Sequence, residues 1–79
     1  MVRVTYSKDA DAVYIYLHED MQIERTRNLD GSRLIDYTED GEPVEIELRD
    51  VSEGVSLDGL PARGMIAELL AEHYIEVCD

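Results

Sequence analysis

Asp9 and Asp11 stand one residue apart, a pair whose two carboxylates could offer hard oxygen ligands to a magnesium ion. In a chain with nineteen acidic residues that spacing carries little information. The plainer reading is a turn, in which short aspartate side chains accept hydrogen bonds from nearby backbone amides. Asp36 and Asp40 flank a second turn. Carboxylates that divide acid and base roles need burial or a like-charged neighbour, and Asp40 already has a turn to make. His18 is followed by Glu19 and Asp20, so a carboxylate-oriented imidazole is conceivable, but a half-exposed histidine at a strand end accounts for it as simply. His73 falls near Leu69 and Leu70 at helical spacing, which suits a partly buried structural histidine. Cys78 and the serines and threonines lack a nucleophile motif around them. These residues define no catalytic site, no cofactor site and no metal site, and an enzyme is the minority reading.

Tyr14 and Tyr16 raise a different question. They alternate with Val13, Ile15 and Leu17, so a strand through them is aliphatic on one face and aromatic on the other. If a helix covers the aliphatic face, the rings need another cover. Tyrosine suits a protein interface because its ring buries roughly 150–250 Å² while its hydroxyl stays hydrogen-bonded or wet. Arginine and lysine stems lying over the rings would serve as well. Tyr14, Tyr16 and His18, with Glu45 and Glu47 on a later strand, are therefore the candidate protein-interaction residues.

The elements that must position them are legible as alternations. Val2, Val4 and Tyr6 alternate with polar residues, and Lys8-Asp-Ala-Asp11 turns the chain into the two-faced strand, which should be central. Gln22 to Asn28 is charged, with Ile23 its only strong apolar residue, so a strand there belongs at an edge. A second hairpin follows, with Ile35 and Tyr37 facing Val44 and Ile46 across Thr38–Pro43 and Asp40-Gly41 supplying the positive-φ positions. Val44, Ile46 and Leu48 point inward, while Glu45, Glu47 and Arg49 point to solvent. After a polar connection over 51–60, Ile66, Leu69, Leu70, His73 and Val77 recur at helical spacing and predict an amphipathic helix over 61–77. Pro61 suits its first turn, Asp58 is a candidate cap, and Gly64 weakens it. The predicted fold is a single α+β domain over 1–79: one antiparallel β-meander of four or five strands, with one C-terminal helix packed on a face.

The spacing Tyr6-x-Lys8-x-Ala10-Asp11-Ala12-x-Tyr14-Ile15-x-Leu17, followed by Ile35-Asp36-Tyr37-x-x-Asp40-Gly41-x-x-Val44-x-Ile46-Glu47-Leu48, resembles the small prokaryotic family known as domain of unknown function 2283. The resemblance covers roughly Val2 to Asp50. The family lends no catalytic or ligand-binding residue to carry over. Its genes often adjoin those of small basic proteins that look like ribonuclease toxins, so the resemblance implies an antitoxin-like role.

Composition narrows the partners further. Seven basic residues against nineteen acidic ones give a formal charge of −12, which disfavours direct association with nucleic acid or an anionic membrane and attracts a basic protein. The same charge also serves simply to keep a small domain soluble. A chain of 79 residues hides only about 60% of its extended surface on folding, so self-association would add core that one copy lacks. With one cysteine, no apolar leader at its start and no apolar run long enough to span a bilayer, the expected setting is the cytoplasm. The leading expectation is a noncatalytic protein-interaction module, self-associating or engaging a small basic toxin-like protein. The alternatives are a structural homo-oligomer and, behind it, a metal-dependent enzyme or binder.

Overall fold

The turn expected over Lys8–Asp11 forms, but the Ser7 hydroxyl, not an aspartate side chain, accepts the local backbone amide. The Asp11 amide donates to the Lys8 carbonyl at 3.2 Å, the Ala10 amide donates to the Ser7 hydroxyl at 3.2 Å, and Asp11 itself takes φ 54°. In the computed structural model, which describes residues 2–78, this turn joins β1 (Arg3–Ser7) to β2 (Ala12–Tyr16). Val4 lies opposite Ile15, and Tyr6 opposite Val13.

The chain then makes β3 (Arg25–Asn28), β4 (Arg33–Tyr37) and β5 (Pro43–Arg49), each antiparallel to the next. The turn between β4 and β5 is closed by Thr38. Its amide donates to the Glu42 carbonyl at 2.9 Å, while its hydroxyl and carbonyl accept from the amides of Glu42 and Gly41 at 3.1 and 3.0 Å. Positive φ falls on Gly41 alone, at 89°, and not on Asp40. Ile35 faces Ile46 as expected, but an irregularity at Asp36/Tyr37 sets Tyr37 opposite Pro43 instead of Val44.

Five antiparallel strands and one C-terminal helix make an α+β fold, but the strand order β1-β2-β5-β4-β3 departs from a plain meander. The reason is compositional. All four residues of β3 are exposed, so this strand has nothing to bury beside β2, whereas the inward Ile46 and Leu48 of β5 match Ile15 and Val13 in register. The polar strand is left at the edge, where a ladder partner is needed on one side only.

Ile15, Ile35, Ile46, Leu48, Ile66 and Leu70 are fully buried in one cluster with Val13, Val51, Val55, Leu57, Leu60 and Ile75. The helix and the segments around it therefore cover the aliphatic face of the sheet. That helix, α1 (Arg63–Glu72), is shorter than the predicted 61–77 span. It begins after Ala62, which sits in the left-handed region at φ 53° with no side-chain cap. Asp58 does not cap it, and instead the Asp58 carbonyl accepts a hydrogen bond from Arg33. The helix stops because Ile75 would point about 140° away from Leu70 if the turn continued. The chain reverses through Tyr74 at φ 59°, buries Ile75, and lays Val77 beside Val55 in a parallel bridge. His73, expected to be partly buried, is exposed at the helix end, its ring centroid 5.6 Å from that of Tyr6.

Glu76 and Cys78 are tied to the segment before the helix. The Val55 amide donates to the Glu76 carbonyl and the Cys78 amide to the Val55 carbonyl, both at 2.9 Å. Gly54 sits at φ 95°, a backbone conformation that favours glycine, and a Cβ there would also crowd the Cys78 sulfur at 2.8 Å. Among the described residues, no helix is long and apolar enough to cross a membrane.

Candidate functional site

Because α1 occupies the Val13 and Ile15 side, the opposite sheet face carries no covering layer. The register lays two rows of side chains across it. One runs Arg3, Tyr16, Glu45, Asp36, Thr26, and the other Thr5, Tyr14, Glu47, Leu34, Asn28. Tyr14, Tyr16 and Leu34 are each half-buried, held between strands and still reachable from solvent. Aromatic and aliphatic surface framed by polar groups is the composition of a protein interface.

The charges on this face are unevenly satisfied. The Arg3 guanidinium stacks 4.3 Å from the centre of the Tyr16 ring and donates to Glu19 at 2.8 Å, so one tyrosine has the arginine cover weighed above as the alternative to a partner. Arg49 pairs with Glu47 at 2.7 Å. The Thr26 hydroxyl donates to Asp36 at 2.6 Å. Glu45 sits directly opposite Asp36 and, among the described residues, has neither a hydrogen bond nor an ion pair. Like charges directly opposite across a ladder repel. Partial burial is the largest cause of a raised Glu45 pKa; Asp36 and Glu47 raise it further, and Arg3 partly offsets them.

A raised carboxylate pKa means that ionised Glu45 opposes folding. That penalty is present above the folded-state pKa and is relieved as pH falls through it. Glu45→Gln should therefore raise the urea midpoint at pH near neutrality by a small amount, since solvent still reaches and screens this half-buried group. The gain should fade in acid, where wild-type Glu45 is itself protonated. Chemical denaturation of both proteins at neutral and acidic pH checks this, and a Gln variant less stable at neutral pH would contradict it.

The structure brings together four of the five residues expected at an interface: Tyr14, Tyr16, Glu45 and Glu47. His18 lies past the end of β2, exposed, with its amide 3.3 Å from the Val44 carbonyl. Arg3, Leu34 and Asp36 were missed. Each has the right strand parity, but only the β4–β5 register places Leu34 and Asp36 beside the glutamates. Asp9 and Asp11 do not share a site. Asp9 is exposed at the turn, while both oxygens of Asp11 are engaged by Ser52, from its amide at 2.9 Å and its hydroxyl at 2.7 Å. Among the described residues no cluster of three or more His, Cys, Asp or Glu is placed to hold a metal ion.

The fold and face thus define a small α+β domain with one covered and one uncovered sheet surface. The family described as Protein of unknown function (DUF2283) matches residues 3–52, which span all five strands, and the chain belongs to that family. No curated protein and no solved structure matches the chain.

Proposed function

We propose that this protein is a noncatalytic interaction module whose uncovered sheet face receives a cationic protein, in the manner of an antitoxin masking a small basic partner. The observation that carries the reading is the joint partial exposure of Tyr14, Tyr16 and Leu34 on the face of Glu45, a carboxylate that makes no ion pair among the described residues. A lysine or arginine from a partner would relieve the repulsion among Asp36, Glu45 and Glu47, while the rings supply buried area. The overall charge of −12 would speed encounter with such a partner, and salt would slow it.

A second copy of the chain is the other occupant to consider, because Arg3 and Arg49 border the same face and could meet the partner copy's acids. Photo-crosslinking in the native cell separates the two. A crosslinker replacing Leu34 should capture a basic protein, and one replacing exposed Glu68 on the helix should not. Capture of the chain's own copies from position 34 would favour the homo-oligomer. Equal capture from both positions would contradict any role for this face.

A further inference from the structure

A cleft of about 390 Å³ opens beside β3, lined by Arg25, Thr26, Arg27, Tyr37 and Gly41. Arg25 lies opposite Tyr37 and Arg27 opposite Ile35, so both arginines leave β3 on the same face, their stems rooted about 6.7 Å apart. Arg25 donates from Nη2 to the Glu39 carbonyl at 2.8 Å, and its other N–H groups meet no acceptor among the described residues. Arg27 makes no hydrogen bond or ion pair among the described residues. Among the described residues no carboxylate lines this cleft, in a chain where acids outnumber bases nineteen to seven.

Arginines on an edge strand also discourage unwanted strand pairing. That role accounts for the charge but not for a concavity lined by two arginines and a half-buried tyrosine. We infer that the cleft binds a small aromatic phosphate, with the dianion held by Arg25 and Arg27 and the flat group resting against Tyr37. The guanidinium fork matches phosphate geometry, and the volume lies within the roughly 300–1,000 Å³ of small-ligand sites. Glu24, Glu39, Asp40 and Glu42 line a second hollow on the same acidic chain, so phosphate alone is held weakly and contact of the flat group with Tyr37 supplies the rest of the binding. A free mononucleotide and the phosphorylated end of an RNA strand share this chemistry.

Phenyl phosphate is the minimal probe, followed by backbone-amide NMR. It should shift residues 25–27, 37 and 41 saturably, more tightly than inorganic phosphate or phenol. Arg27 is exposed, so Arg27→Gln should leave the remaining spectrum intact and weaken binding about tenfold, as expected for loss of a charge-assisted contact. Tyr37→Leu should weaken phenyl phosphate but not the residual binding of inorganic phosphate. A mononucleotide binding as tightly as a terminally phosphorylated oligoribonucleotide identifies the free ligand as the source, and tighter binding of the oligonucleotide identifies the strand end. The inference is overturned if phenyl phosphate shows no saturable shift at tens of millimolar, if its binding survives Arg27→Gln, or if oligoribonucleotides bind equally well without the terminal phosphate.

Discussion

Ile46→Ala should destabilise the domain by about 2–5 kcal/mol, the cost of removing three carbons from a site that cannot collapse around the gap. Ile46 is fully buried on β5, opposite Ile15 on one side and Ile35 on the other, at the centre of the apolar row beneath the helix. A domain of this length has roughly 4–12 kcal/mol of stability in all, so the loss removes about a sixth of it at the least and could exhaust it at the most. Urea denaturation followed by circular dichroism should show a large fall in midpoint with an unchanged slope. Ile23→Ala is the control. Ile23 is 44% exposed, and the same chemical deletion there should cost no more than about 0.5 kcal/mol. Equal effects at the two positions would mean that β5 is not the centre of the core.

Asp11→Ala should cost about 2 kcal/mol or more, although Asp11 is a half-exposed turn residue. Its two carboxylate oxygens hold the amide and hydroxyl of Ser52, and its carbonyl accepts the Val51 amide at 3.1 Å, so it pins the chain where it leaves β5 for the segments that cover the core. Charge-assisted bonds of this kind contribute about 1.5–3 kcal/mol each when sheltered, and less here because Ser52 is exposed. The left-handed backbone at φ 54° adds to the loss, since alanine tolerates it less well than aspartate. The expected order of damage is Asn least, Gly intermediate and Ala greatest, since asparagine keeps both an acceptor and the backbone preference. A double-mutant cycle with Ser52→Ala should show coupling. Strict additivity would mean that the two side chains do not act together, and the latch would have to be abandoned.

Asp11 shows where sequence reading runs out. Its turn was legible from residue type, because Lys8-Asp-Ala-Asp11 separates two period-two alternations. Its bond to Ser52, forty-one residues later, is set by the return of β5 beside β2, which no local pattern encodes. The same return changes an expected meander into the order β1-β2-β5-β4-β3 and carries Glu45 and Glu47 beside the tyrosines. Parity had already put Tyr14 and Tyr16 on one face and the two glutamates on one face, but only pairing made them the same face. The helix end was misread because Val77 fits the helical spacing, while burial of Ile75 and the bridge to Val55 outweigh another turn of helix. Arg33 was passed over for a related reason. Its guanidinium meets Asp30 and the carbonyls of Ser56 and Asp58, and two of those three partners belong to a connection with no periodicity to read.

If the uncovered sheet face is the working surface of this protein, its tyrosines should govern how long a partner stays bound. The deciding measurement is the dissociation rate of the noncovalent complex with the partner identified by crosslinking from position 34, compared between wild type and Tyr14→Ala. Both rings stand on the helix-free face, so the substitution should leave the core and the fold intact. If Tyr14 is buried by the partner, dissociation should quicken by about tenfold or more while the association rate stays nearly unchanged, the pattern of a lost aromatic anchor. An unaltered dissociation rate would contradict the account and leave the acidic, tyrosine-bearing face as a device for solubility.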